Sequence, residues 1–392
     1  MRIKALTLFD VSIPLRLSFR HSLAERKSSR NLIVRAELDN GVVGWGEGVP
    51  VAYVTGETVE SAVEAIREHY FPAARGRTFA SYENLGRWLC ELRPVVTPSV
   101  CHTSAKCAFE LALLDAGGRE FRRSVADLAK LVSLPPLAET PVRRLSYGVA
   151  LTADRSWIRR RMTLLKLYGF RDFKLKVGAD AAADLENVRL IVRRLKRRLA
   201  RRRATLRVDA NAAYRDPDLA LAALEPLVRL GVEAVEQPMP PKHDARVAEL
   251  ASRLGVPILL DESLRTLEEG EEKLTAGRWV GANIRLSKNG GVFDSLRLAA
   301  LCRRREAPFQ LGCHVGETGI LAAAQVHLAA VLPDARYLEG AFGARLLERD
   351  IVRPKVQFGF RGRPPRLGPL GLGVTVNDSL LRKSLLATVG VE

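Results

Sequence analysis

Asp209 in LRVDAN, Glu236 in AVEQP, Asp261 in PILLDES and Lys288 in ANIRLSK each close an apolar run, at steps of 27, 25 and 27 residues. Each step is about the length of one strand plus one helix. Lys174 and Lys176 of FKLKVG belong to the preceding unit, with Lys176 33 residues before Asp209. Equal spacing with a polar residue at each strand's C-terminal end is how a (β/α)₈ barrel assembles an active site. Oxygen-only ligation by Asp209, Glu236 and Asp261 suits a hard cation, Mg²⁺ with Mn²⁺ as a workable substitute, and no His or Cys stands at these strand ends to favour zinc. Such a metal keeps open positions for a substrate carboxylate and stabilises the enediolate formed when the α-proton leaves. One strand-end acid alone reads as a helix N-cap or a loop charge. Three on successive strands read as a metal site.

Lys176 and Lys288 are expected on the second and sixth strands, on opposite sides of the barrel mouth. Two bases so placed could remove a proton from one face of an α-carbon and return it from the other. A lysine must be largely neutral to act as a base. Lys174 and Lys176 share one strand face at i and i+2, and a second ammonium together with the metal would depress the pKa of Lys176. Lys174 also has a structural reading, an ion pair with one of the metal-binding carboxylates.

The elements that must hold these groups are legible in the periodicity. The first 60 residues alternate as strands at Ile3 to Ile13, Asn31 to Asp39 and Val42 to Glu47, the last two joined by the hairpin signal Asn40-Gly41. From Glu57 to about Gly118 the apolar spacing becomes helical and includes AKCAFELALLDAGGRE at Ala105 to Glu120. From Ser146 onward, β-rich runs near 146–151, 172–177, 206–210, 233–237, 257–261, 282–286, 309–313 and 336–339 alternate with helical stretches. That pattern implies parallel βαβ units. An α+β unit over residues 1–140, a barrel over 141–351 and a Gly- and Pro-rich tail from about 352 to 392 that packs back on the first unit are therefore expected.

The 392 residues suffice for two domains, and the 47% hydrophobic content fits a globular protein. No apolar run reaches the roughly 20 residues that span a bilayer. The opening MRIKALTLFDVSIPL reads as a strand rather than a signal peptide. Five cysteines without a CxxC pair read as free thiols in a reducing compartment, and the cytoplasm is expected. The net charge of +18 raises nucleic acid as a partner. Its densest run, RRLKRRLARRR at 193–203, has Leu190, Ile191, Leu195 and Leu199 at helical spacing and no interleaved aromatic residues. It reads as the solvated face of a barrel helix rather than a stacking platform.

The series KLK, VDAN, EQP, DES and LSK, with GWGEG near the N-terminus, closely resembles the muconate-lactonizing-enzyme subgroup of the enolase superfamily, over nearly the whole chain. The resemblance implies an α/β fold, a modified TIM barrel (β/α)₇β under an α+β capping domain built from both chain ends. It implies Asp209, Glu236 and Asp261 as Mg²⁺ ligands, Lys176 and Lys288 as the acid/base pair, Lys174 as the group that tunes Lys176, and Asn211 and Glu262 as groups beside the metal. At the seventh strand end, GCHVGETGI, Glu317 matches a position where relatives place a carboxylate toward the substrate. His314 is either a catalytic histidine, a lining residue or a structural one.

In this architecture the substrate's distal end meets the loops Leu15–Arg30 and Val49–Thr58. Arg20 and His21 of the first, Tyr53 and Thr55 of the second, and Glu339 of the last strand are expected to bind it. The resemblance implies metal-dependent abstraction of the proton α to a carboxylate in a small-molecule substrate, with racemisation or epimerisation of an amino-acid-like or dipeptide substrate foremost. Cycloisomerisation or syn β-elimination uses the same residues and is the alternative, and a polyanion-binding barrel without catalysis is the reading from a different class. A homo-oligomer is expected, with no membrane association.

Overall fold

A computed structural model describes the chain except residues 22, 23, 137–144, 153, 276 and 392, and except the side chains of residues 17–26. Strands β1 (Ile3–His21), β2 (Ala24–Leu38), β3 (Val43–Gly48) and β13 (Leu385–Val391) form an antiparallel sheet in the order β13-β1-β2-β3. Both chain ends thus build one sheet. Asn40-Gly41 makes the expected turn, with Gly41 at φ 84° and Leu38 and Val42 closing it by hydrogen bonds. In the segment Leu15–Arg30, expected as a loop, residues 15–21 and 24–30 instead belong to β1 and β2, where Phe19 pairs with Arg26 beyond a break in register after Pro14. Alternating polar side chains do not prevent a ladder, because the ladder satisfies backbone groups. The expected domain boundary at residue 140 lies outside the described residues.

The second sheet is parallel and carries the site. Its strands are β4 (Val149–Leu151), β5 (Asp172–Lys176), β6 (Thr205–Asp209), β7 (Val235–Glu236), β8 (Ile258–Leu260), β9 (Val280–Ile284) and β10 (Phe309–Leu311), in sequential order. A helix follows each, among them Ala181–Ala200 after β5 and Val292–Arg304 after β9. Leu338 closes the ring by parallel bridges to Tyr147 and Leu311, one on each side. The result is a (β/α)₇β barrel, the eighth position being reduced to this bridge. The short strands β11 (Val352–Arg353) and β12 (Thr375–Val376) tie the tail together. No helix among the described residues is long and apolar enough to cross a membrane.

The sixth strand ends earlier than its apolar run suggests. After Ile284 the Asn289 side chain accepts the Arg285 N–H at 2.8 Å, and Asn289 N donates back to the Arg285 carbonyl at 2.9 Å. This turn takes the backbone groups that a longer strand would offer its neighbours. Lys288 therefore stands four residues past the strand, not two.

The cap is joined to the barrel by the helix Thr103–Glu120. Gly44, Gly46 and Gly48 present one face of β3 to it, and a Cβ on any of them would overlap backbone atoms of Ala116, Ala108 or Ser104. Glycine on the strand and small residues on the helix let the two backbones touch. The other side of the helix reaches the barrel. Glu110 accepts the N–H of Val292 at 2.6 Å and of Phe293 at 3.3 Å, capping the helix after β9. Lys106 donates to the Gly290 carbonyl at 2.7 Å and pairs with Glu110 and Asp294. On β3, Glu47 accepts from Thr318 N, Thr318 Oγ1 and Leu321 N, and so fixes the start of the helix after β10.

Gly46→Ala is expected to destabilise the fold by about 1–3 kcal/mol or more, since strand and helix cannot part without undoing the docking; thermal denaturation measures it. Burial pushes the Glu47 carboxyl up to about 7 from its ordinary 4.5. A folded value above the unfolded one means that the native state binds the proton more tightly. This stabilising contribution is complete below about pH 4.5 and is lost as pH rises through about 7. The melting temperature of Glu47→Gln, relative to the parent, is therefore expected to rise between pH 5 and pH 8; a difference independent of pH would show that Glu47 stays ionised.

Candidate active site

Alternation along the strands points residues i and i+2 of each into the barrel. Lys174 and Lys176 of β5, Arg207 and Asp209 of β6, Glu236 of β7 and Asn283 of β9 thereby meet, with Gln310 of β10 and Glu339 beside Leu338. Lys174 Nζ lies 3.0 Å from Glu236, 2.7 Å from Glu339 and 3.2 Å from Asp209. Arg207 pairs with the other oxygen of Glu339. Asn283 and Gln310 donate to the two oxygens of Glu236 at 2.9 and 2.8 Å. Burial works against the Lys174 charge, but Glu236, Glu339 and Asp209 outweigh it and hold the ammonium above its usual range.

Above this layer lies the mouth. Lys176 Nζ donates to Asp209 Oδ2 at 2.8 Å and to Asn211 Oδ1, and its side chain is 21% exposed while Asp209 is fully buried. Asn211 stands in the left-handed region at φ 44° and also donates to Glu262 at 3.2 Å. Burial raises Asp209, yet Lys176 and Lys174 prevail and keep it well below the usual carboxylate range. Burial, then the neighbouring Asp261 charge, pushes Glu262 up to about 8. Gln237 orients Asp261 by accepting its N–H at 2.7 Å.

On the sixth strand the mouth-facing cation is Arg285, two residues beyond Asn283 on the same face. Its guanidinium contacts Asp261 Oδ2 and lies 3.2 Å from Glu236. Burial opposes its charge, and Asp261 and Glu236 restore it and raise it well above the ordinary value. Lys288, expected here as the second base, is fully buried below the turn. Its ammonium donates to the carbonyls of Asp261 at 2.8 Å and Asn283 at 2.7 Å and lies 3.1 Å from Asp261 Oδ1. Burial lowers its pKa, but the amine is spent on holding the ends of β8 and β9 together.

Asp209, Glu236 and Asp261 stand together at three neighbouring strand ends. Among the described residues no three acidic, histidine or cysteine side chains close around one point, because Lys174, Lys176 and Arg285 stand between the carboxylates. Their chemistry fits a hard dication all the same. The donors are all oxygen, and buried Glu262 Oε2 beside Asp261 lacks a hydrogen-bond donor among the described residues.

Two expected substrate contacts, Glu339 and Thr55, change. Glu339 does not face the substrate; it lies inside the barrel with both oxygens taken by Lys174 and Arg207. Thr55 is buried, its hydroxyl bonded to the backbone of Val51 and Glu57. Arg20 and His21 have side chains outside the described set. Tyr53 is exposed on the short helix Ala52–Thr55. His314 and Glu317 are buried together after β10, where Glu317 accepts the His314 N–H at 2.6 Å and burial pushes its carboxyl up to about 8. Arg285, Arg207, Asn283 and Gln310 were missed in the sequence; counting two residues back and forward along each strand would have found them.

Lys288→Ala is expected to cost about 3–5 kcal/mol of stability, because it orphans two carbonyls and a buried carboxylate. Chemical denaturation checks this, and a variant with unchanged stability and lost activity would return Lys288 to catalysis.

The enolase C-terminal domain-like family matches residues 157–380, and the N-terminal domain of the mandelate racemase / muconate lactonizing enzyme family matches residues 3–129. The chain is 30% identical to an N-succinylamino acid racemase of Amycolatopsis over the full length of both. It is 26% identical to the N-succinyl-L-Arg/Lys racemase of Bacillus cereus over 84% of each. Among solved structures it superposes on muconate lactonizing enzyme of Klebsiella pneumoniae with a TM-score of 0.80 at 25% identity, covering 99% of this chain and 100% of the other. The chain is an enzyme of the mandelate racemase / muconate lactonizing enzyme family within the enolase superfamily.

Proposed function

We propose that this enzyme removes the proton α to a substrate carboxylate with Lys176 as its one base, and that Arg285 makes the opposite face of the site a fixed positive charge. The substrate is a small carboxylate, and Asp209, Glu236 and Asp261 would hold Mg²⁺. When bound, that cation supplies Lewis-acid stabilisation of the enediolate. Lys176 is the amine that combines exposure at the mouth with a bond to Asp209. Asn211 and Asp209 hold its nitrogen, so the proton is taken at Nζ and delivered back from the same side. Lys174 is a structural cation among three carboxylates rather than a proton carrier.

The observation that carries the reading is Arg285. A guanidinium is not deprotonated in proteins and cannot serve as a second base. It can stabilise developing negative charge on the substrate. Two-base racemisation by Lys176 and Lys288 is therefore less well supported than chemistry completed on one face, the cycloisomerisation and syn-elimination class. Chloromuconate cycloisomerases and an o-succinylbenzoate synthase stand among the relatives beside the racemases.

The test is deuterium uptake in D₂O with Mg²⁺, followed by chiral analysis, over N-succinylamino acids, dipeptides and muconates. Uptake or turnover without inversion is expected. Inversion as fast as exchange would overturn the one-base reading. Lys176→Ala should lose about 10²–10⁴-fold in rate while keeping its fold by circular dichroism. Arg285→Lys restores an amine to the opposite face and is expected to add inversion that the parent lacks.

A further inference from the structure

Away from the mouth, at the N-terminal ends of β5 and β6, lies a cleft of about 540 Å³ lined by Gly169, Arg171, Arg361 and the five arginines between residues 197 and 203. Three separate segments supply these guanidinium groups: the end of the helix Ala181–Ala200 with its following turn, the strand entry at Arg171, and the tail at Arg361. Basic residues at a helix C-terminus are ordinary, since they complement its dipole. That accounts for Arg197 and Arg198. It does not account for Arg171 and Arg361, which arrive from elsewhere.

Several arginines on other exposed faces come with acids: Arg155 and Arg189 pair with Glu186, Arg229 with Glu225, and Arg246 and Arg253 with Glu249. Among the described residues, none of the seven cleft arginines has a carboxylate partner. Burial and the charges of Arg171 and Arg361 lower the pKa of Arg198. The backbone nevertheless holds them in place. Gly169, Arg202 and Arg361 sit at φ 89°, 51° and 63°. Arg203 N bonds to the Arg198 carbonyl at 2.7 Å, and Arg361 N to that of Tyr168 at 3.0 Å. A Cβ at Gly169 would meet Arg361 Cγ at 2.6 Å, so this close approach requires glycine. Arg198 also donates to the Phe170 carbonyl at 3.1 Å. Like charges gathered from three segments on a defined backbone, with no carboxylate paired to them among the described residues, form a cleft that an anion complements.

We propose that this cleft binds a small polyphosphate anion, with the guanidinium groups as forked donors to phosphate oxygens. Its volume lies within the roughly 300–1,000 Å³ of small-ligand sites, and its concave closure by Arg361 favours a compact ligand over a nucleic-acid strand. The site is separate from the catalytic mouth, so the proposal does not rest on the reaction assigned there.

The probe is inorganic tripolyphosphate, titrated by calorimetry into the full chain with EDTA present to exclude metal complexation, with ATP as a second arm. Saturable binding of one tripolyphosphate per chain is expected, weakening at least tenfold in Arg198→Gln/Arg361→Gln and in Arg201→Gln/Arg202→Gln. Arg160→Gln/Arg161→Gln, an equal loss of charge on an exposed helix face outside the cleft, should bind as the parent does. Tighter binding of ATP than of tripolyphosphate would identify a nucleotide as the source of the phosphates, and equal affinity the bare polyphosphate chain. No saturation, equal weakening by the Arg160/Arg161 pair, or binding of single-stranded RNA that tripolyphosphate does not displace would each overturn the proposal. Arg198 bonds to the Phe170 carbonyl and Arg361 packs on Gly169, so the Arg201/Arg202 pair keeps the test decisive if the Arg198/Arg361 variant fails to fold.

Discussion

Charge balance inside the barrel is the constraint on which the rest of this structure depends. Asp209, Glu236, Asp261, Glu262 and Glu339 are buried, and so are Lys174, Arg207 and Lys288, with Lys176 and Arg285 partly exposed at the edge. Isolated charges could not be kept there, since each would cost several kcal/mol of lost hydration. They persist because the strands bring acids and bases within ion-pair reach: Lys176 beside Asp209, Lys174 beside Glu236 and Glu339, Arg207 beside Glu339, and Arg285 and Lys288 beside Asp261. The deeper pairs, Lys174 and Arg207 with Glu339, have no access to the mouth and serve as a floor. The upper pairs differ because water or a substrate can reach Lys176. A single architecture thus divides similar residue types into structural and chemical roles by depth alone.

The cap contributes in a different way. Its sheet and long helix supply no described side chain to the acid–base set. Glu47 and Glu110 instead hold the loops that follow β10 and β9, and Lys106 holds the carbonyl of Gly290 in the same turn as Arg285 and Lys288. The position of Arg285 is consequently set from two sides, by Asn289 and the Lys288 amine within the barrel and by the cap helix above the loop. Rigidity at this strand end is built from backbone contacts and buried acids, which carry no catalytic signature in the sequence.

Much of this was legible from residue order. The period of strand plus helix located the parallel strands, and the acids expected at successive strand ends do stand side by side. Asn40-Gly41 marked its hairpin. What period alone did not reveal was where a strand stops. The apolar run through Ile284 and Leu286 reads as one strand, but the Asn289 side chain ends it at Ile284, and that difference exchanges Lys288 for Arg285 at the mouth. Glu339 misled for a related reason: a carboxylate on the last strand looks available until Arg207, two residues before Asp209, is found buried beneath it. The arginine run at 193–203 had the amphipathic spacing of a solvated helix face, and its partners Arg171 and Arg361 are remote in sequence.

The glycine strip of β3 has a consequence for what lengths the cap can tolerate. Alternate residues of a strand advance by about 6.8 Å, while one helical step of four residues advances by about 6.0 Å. The two repeats are close without being equal, and they drift by about 0.8 Å at each contact. Gly44, Gly46 and Gly48 fall between successive turns of the helix near Ala116, Ala112, Ala108 and Ser104, and the strip ends there. Cap strand and cap helix thus behave as a vernier: two rulers that coincide over a short span and nowhere else. A single-residue insertion in the helix would move the coincidence by a quarter of its repeat and rotate Glu110 away from the loop it caps, so helix length and phase are constrained together by one cap strand.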